Sequence, residues 1–226
     1  MTERSLMLTN AVLLMREQDA EQTLAIARRV GLELAVTVAG DHEALERAFE
    51  SKVDLLLSFG TSVIVPTIML AQKCLIAVNI HGASPQFPGR DPHHFAIYRQ
   101  AREYGATLHF MTKRVDEGPI SDVELFSVPE GLSATDLLRR AHAAGFKLIE
   151  RLFMGLKEGN APLCRAHLSW GSVKTSRKDF LTLCKVECSM SEEEVLRRKQ
   201  AVAMPGHRNL RIELHGLTFR LDESST

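Results

Sequence analysis

The chain has 226 residues, enough to bury a sizeable core as one large domain or one domain with a small appendage. Hydrophobic residues make up 45% and charged residues 25%. Lys+Arg and Asp+Glu are both 28, so no electrostatic pull toward nucleic acid or acidic membranes is expected. No run reaches the roughly 18 apolar residues of a membrane span, and the opening MTERSLMLTNAVLLMREQD is broken by Arg and Glu rather than patterned as a signal peptide.

In chain order, SLMLT reads as a first strand, ending at Thr9 and Asn10 near a cleft. AEQTLAIARRVG reads as a helix with Leu24, Ala27 and Val30 on one face and Gly31 as its stop. LELAVTVAG is the next strand, and DHEALERAFES a helix capped by Asp41. VDLLLSFG lacks polar alternation and predicts a strand buried on both faces. SVIVPTIMLA is a short helix or turn around Pro66, and CLIAVNIHG a further buried strand. After an irregular loop, Asp91-Pro92 predicts a helix start that runs to about Tyr104. GATLHFMT and ISDVELFSV read as strands around the turn KRVDEGP. Ser133 caps a long helix with Leu138, Ala141, Gly145, Leu148, Leu152 and Leu156 as its apolar stripe. Alternation of this kind predicts an α/β fold, a Rossmann-like, mostly parallel sheet with helices on both faces.

From about residue 161 the texture changes. The only Trp lies here, with a helix opened by a Ser191–Glu194 capping box and a hairpin in NLRIELHGLTFRL. Residues 1–160 are read as the main domain and 161–226 as a small α+β extension, with DESST as a disordered tail. Cysteines 74, 164, 184 and 188 form no regular framework, so a cytoplasmic protein with free thiols and no metal is expected.

Asn79 and His81 end a buried strand two positions apart, so both side chains point to one face. Ligands of open parallel sheets bind beyond the carboxyl ends of the strands. There an amide N–H can stabilise an oxyanion and an imidazole can move protons near neutral pH. No Ser, Cys or Lys is placed as a nucleophile, so a transferred group should pass directly from donor to acceptor. Asp116, in RVDEGPI, is the candidate third partner, 35 positions after His81. Each of these also has an ordinary use: Asn79 as a turn cap, His81 as a core histidine, Asp116 as a turn residue before Gly-Pro. Thr9, Asn10, Arg90 and His93 are candidate acceptor contacts. Asn10 equally suits an N-cap, and Arg90 a solvated loop. His109 is read as a structural strand residue.

The pattern N-I-H, P-x-x-P-G-x-x-P, G-A-T-L-H and V-D-E-G-P-I resembles the formyltransferases that use 10-formyltetrahydrofolate, over about residues 54–157. The resemblance implies that Asn79 polarises a formyl carbonyl and that His81 stabilises the tetrahedral intermediate or shuttles its proton. Asp116 would tune that histidine. Ser62, Val63 and Ile64, with the loop carrying Met111, Val115 and Gly118, would hold the pterin. His-Gly-Ala-Ser-Pro stands where the family usually has His-Pro-Ser-Leu-Leu-Pro, so the loop bordering the acceptor differs. There is no Gly/Ser-rich phosphate loop after the first strand, and no tRNA-binding footprint. A small-molecule amine, such as an amino sugar on a nucleotide carrier, is therefore the implied acceptor, without a metal and with a homodimer as the implied assembly. Hydrolysis of the same donor and a non-catalytic folate-binding module are the alternatives.

Overall fold

The structure, a computed structural model, describes residues 8–72 and 75–222. Cys74, most of SLMLT and the last four residues of the tail lie outside the described residues. The central sheet uses β1 (Asn10–Leu14), β2 (Ala35–Ala39), β3 (Leu55–Phe59), β4 (Ile76–His81), β5 (Glu103–Phe110) and β6 (Ile120–Ser127). Their order is β2-β1-β3-β4-β5-β6. The first four are parallel, and β5 and β6 complete the sheet antiparallel. The mostly parallel α/β fold is thus as the alternation predicts.

Every residue of β3 is buried, as its unbroken apolar run requires of a strand covered on both faces. The first strand is displaced from its expected place. It begins, not ends, at Asn10, because the Asp54 carboxylate takes the backbone N–H groups of Thr9 and Asn10 at 2.9 and 3.1 Å. The apolar run NAVLL that follows is the part that enters the core.

α1 (Glu17–Val30) ends at Gly31, whose φ of 70° is the left-handed stop the sequence signals. Asp41 caps α2 (His42–Ala48) through the N–H of Ala44 at 2.8 Å, and α3 (Thr67–Leu70) is the short turn after Pro66. α4 (Pro92–Tyr98) is shorter than expected. Gln100 turns left-handed at φ 52°, and Tyr104 is buried inside β5. Asp91 precedes α4 but its side chain caps nothing.

α5 (Ala134–Lys157) is capped by Ser133 as predicted and lies across one sheet face. Its stripe is buried as expected at Ala141, Gly145, Leu148, Leu152 and Leu156; only in the first turns does it differ, where Leu138 is exposed and Leu137 is buried in its stead. Gly145 is required there, since a Cβ would meet the Phe59 ring at 2.3 Å.

The remaining chain forms α6 (Arg177–Leu183), β7 (Lys185–Val186), α7 (Glu192–Val202), β8 (Arg211–Leu214) and β9 (Leu217–Arg220). The last three strands make a small sheet, with β8 and β9 as the expected hairpin. Ser191 caps α7 as predicted, accepting from the N–H of Glu194, but the reciprocal capping box lies elsewhere. It is closed at Ser176–Asp179 on α6, whereas the Glu194 carboxylate is engaged by Tyr98, Arg197 and Arg198. Phe180, Leu183, Cys184, Ala201 and Val202 share one core with Phe95, Tyr104, Leu137 and Ala141.

Candidate active site

Because side chains alternate along a strand, Asn79 and His81 project from the sheet face opposite Ile80. β4 pairs with β5 so that Asn79 stands directly across from His109. A register shift at Leu108/His109 re-aims β5 at this point. The β5–β6 loop then returns Asp116 to the same place. Asp116 sits at φ 50°, a conformation Asp tolerates better than most residues. It is only 5% exposed.

The four side chains form one cluster. Asp116 Oδ2 lies 3.5 Å from His81 Nδ1, and Oδ1 lies 3.6 Å from His109 Nε2. The backbone N–H of Gly89 donates to Asp116 Oδ2 at 3.2 Å. His81 Nε2 is 2.9 Å from the carbonyl oxygen of Phe87, which can only accept, so this nitrogen carries a hydrogen. Asn79 Nδ2 lies 3.0 Å from His109 Nε2.

Burial would raise the Asp116 carboxyl, but the adjacent His109 and His81 rings and the Gly89 N–H hold it below the usual range. Burial pulls the His81 imidazole below its ordinary value, with Asp116 and the Phe87 carbonyl opposing. At neutral pH the pair therefore rests as a carboxylate beside a neutral ring. A proton arriving at His81 lands on Nδ1, the nitrogen that faces the carboxylate.

The loop from Gly82 to Asp91 is shaped by bonds from the sheet. Tyr104 Oη donates to the Gly82 carbonyl at 3.3 Å, and Thr107 Oγ1 to that of Ala83 at 2.7 Å. Over it lies the segment after α5. Arg165 bonds to Ile120 and Ser121, Trp170 Nε1–H donates to the Gly118 carbonyl at 2.8 Å, and Gly171 N–H donates to Pro85. Thr175 bridges Gly89, and Lys174 donates to the carbonyl of Val115. The Trp170 ring meets His81 and His109 edge-on at centroid distances of 5.8 and 5.0 Å.

The remaining sequence candidates are placed unequally. Val63 and Met111 pack against one cluster of β1 and β3 side chains, while Ser62, Ile64 and Val115 are exposed. Gly118 is tight against the main chain: a Cβ there would meet the Phe110 carbonyl oxygen at 1.8 Å. Arg90 is exposed, with its backbone tied to Thr175. His93 is buried, with its ring tilted against that of His94 at a centroid distance of 4.1 Å, so it does not present to solvent. Thr9 and Asn10 sit at the amino end of β1, the opposite edge of the sheet, held by Asp54. The structure thus removes the geometric ground for their contact with an acceptor. His109 and Trp170 join the cluster without having been singled out for it. His109 carried a signal, its place in the Gly-Ala-Thr-Leu-His strand; for Trp170 only its being the sole Trp was visible.

The formyl transferase family model matches residues 10–152. A methionyl-tRNA formyltransferase from Staphylococcus aureus (strain Newman) is 27% identical over 118 residues, covering 52% of this chain but only 38% of that relative's length. The crystal structure of a 4-N formyltransferase from Francisella tularensis aligns over 96% of this chain and 97% of its own, at TM-score 0.76 and 16% identity. The N-formyltransferase from Helicobacter canadensis, in complex with folinic acid and dTDP-3-aminofucose, aligns over 93% of this chain and 85% of its own, at TM-score 0.68 and 18% identity. With the family model covering well over half of its length, and the cluster of Asn79, His81 and Asp116 inside the matched region, the chain belongs to the formyl transferase family.

Proposed function

We propose that the protein transfers the formyl group of 10-formyltetrahydrofolate to a primary amine on a nucleotide-linked sugar. The observation that carries this reading is the convergence of Asn79, His81 and Asp116 at the carboxyl end of β4, from segments 35 positions apart. The acceptor class draws support from the Helicobacter canadensis enzyme, whose complex holds dTDP-3-aminofucose and whose chain is matched over 85% of its length. Exposed Leu217 and Phe219 on β9 support a homodimer built on the hairpin.

The residues present suit a folate donor. The exposed apolar side chains of Ile64 and Val115, and the close-packed backbone at Gly118, offer a flat heterocycle an apolar floor and main-chain partners. Ser62, Val63, Ile64, Met111, Val115 and Gly118 are the proposed donor contacts. Arg90, exposed in the loop before α4, is the proposed acceptor contact; buried His93 is not.

In the reaction the amine nitrogen bonds to the formyl carbon, the carbon–N10 bond breaks, and a proton moves from the amine to N10. Asn79 offers an N–H where negative charge grows on the formyl oxygen. His81 accepts the amine proton on Nδ1, where the Asp116 carboxylate stabilises the resulting imidazolium. The same proton is then available to the departing nitrogen.

The test is incubation with 10-formyltetrahydrofolate and dTDP-3-aminofucose, following tetrahydrofolate and formylated sugar. Release that depends on the amino sugar, and that His81→Ala abolishes while folate still binds, supports transfer. Equal release without the amine points to hydrolysis. Binding without any release points to a folate-binding module.

A further inference from the structure

We infer that His109 is a positioning residue that fixes which way the Asn79 carboxamide faces, and that it does so only as the neutral Nδ1–H tautomer. The inference rests on the formyl-transfer reading for its consequence, but not for its geometry.

The two residues are cross-strand neighbours in register on β4 and β5. His109 Nδ1 lies 3.0 Å from the carbonyl oxygen of Phe110. That oxygen only accepts, so Nδ1 carries the hydrogen. A neutral ring then has its lone pair on Nε2. The Asn79 atom 3.0 Å from Nε2 is therefore the donor, Nδ2, and the amide oxygen points away. A carboxamide has no preference of its own between its two ends, so an external partner must choose. Here the partner is a ring whose own orientation is set by the backbone of the next residue, and whose edge is packed by Trp170.

The consequence is chemical. One hydrogen of Nδ2 is spent on His109, and the other remains for an oxygen in the cleft. Were the ring protonated on Nε2, it would donate to Asp116 Oδ1, 3.6 Å away, and would draw the amide oxygen of Asn79 toward it. The carboxamide would then be reversed and the relay carboxylate diverted from His81. One ring thus couples the oxyanion donor to the proton relay, although it need not touch either substrate.

Two measurements test this. In protein labelled with nitrogen-15 on histidine, the two-bond proton–nitrogen spectrum of His109, assigned by its loss in His109→Leu, should show a protonated Nδ1 and an unprotonated Nε2. A ring protonated on Nε2, alone or with Nδ1, overturns the inference. With 10-formyltetrahydrofolate and dTDP-3-aminofucose, His109→Leu should lower kcat by about 100-fold, the scale of a lost oxyanion donor, and leave KM for the donor unchanged. His109→Gln, whose side-chain oxygen can accept from Asn79, should recover most of that loss. Undiminished kcat in His109→Leu, or no recovery in a folded His109→Gln, overturns it. If the wild-type protein turns over nothing, the functional reading fails and the spectrum still decides the inference.

Discussion

The indole N–H of Trp170 donates to the carbonyl oxygen of Gly118 over 2.8 Å, and this bond ties the segment after α5 to the loop that carries Asp116. The same ring covers the edges of His81 and His109. A proton relay is useful to transfer only if water does not reach the formyl carbon first. Trp170→Ala should therefore raise the amine-independent share of tetrahydrofolate release, whereas Trp170→Phe, which keeps a ring, should raise it less. Product analysis with and without dTDP-3-aminofucose reads this ratio. An unchanged ratio in Trp170→Ala would mean that the ring only packs.

The backbone of the β5–β6 loop is held as closely as its side chains. A Cβ on Gly118 would meet a main-chain oxygen, Phe110 O, at 1.8 Å, and main chain in a sheet cannot swing aside. Gly118→Ala should displace the loop two residues after Asp116. We expect a loss of about 2–4 kcal/mol in stability and a fall of about 100-fold in kcat. Urea unfolding and steady-state rates measure the two separately. Gly131→Ala, in a turn where a Cβ meets nothing but φ is 75°, is the control for backbone strain alone.

His93 gives the fold a pH dependence. Burial, with the neighbouring His94 adding to it, lowers its pKa from 6.5 to about 3. Between those values the unfolded chain binds a proton that the folded chain refuses. Stability is therefore complete above about pH 6.5 and falls as the pH drops toward 3. His81 and His94, both lowered by burial, act in the same direction. At pH 5 the share of His93 alone is about 2 kcal/mol, given about 1.4 kcal/mol per pH unit. Folded His93→Phe should lose about that much less than wild type between pH 7 and pH 5 in urea titrations. Parallel losses in the two proteins would show that His93 is protonated alike in both states.

Much of this was legible in the sequence because it depends on local rules. The unbroken apolar run of β3, the caps at Asp41 and Ser133 and the stop at Gly31 each act within a few residues. The shared face of Asn79 and His81 follows from the strand period alone. What was not legible depends on partners distant in sequence. Asp116 is a candidate from its turn between two strands, but no local rule says that this loop returns to His81. His109 stands across from Asn79 only because β5 turns antiparallel to β4, and strand neighbours are not written in either strand. α4 stops at a left-handed Gln100, where the usual glycine signal is missing. Thr9 and Asn10 were misplaced because two consecutive apolar runs, LML and AVLL, both suit a first strand, and the distant Asp54 decides where the chain enters the sheet.

The boundary near residue 160 marks a change in composition, but the packing crosses it. Phe180, Leu183, Ala201 and Val202 are buried against Phe95, Tyr104 and Leu137, and His94 Nδ1 bonds the Ala201 carbonyl at 2.7 Å. Removing residues 161–226 would expose that core, free α4 from α7, and strip Trp170, Gly171 and Thr175 from the loops around Asp116. Each large apolar side chain uncovered costs about 1.5–3 kcal/mol, so a few suffice to exhaust the stability of an ordinary domain. A protein of residues 1–160 should therefore be unfolded or aggregated, with no cooperative thermal transition and no turnover. Adding residues 161–226 as a separate chain should restore neither, because the crossing segment must be ordered together with α6 and α7. A sharp transition from the shorter chain alone would establish instead that the extension is an independent appendage.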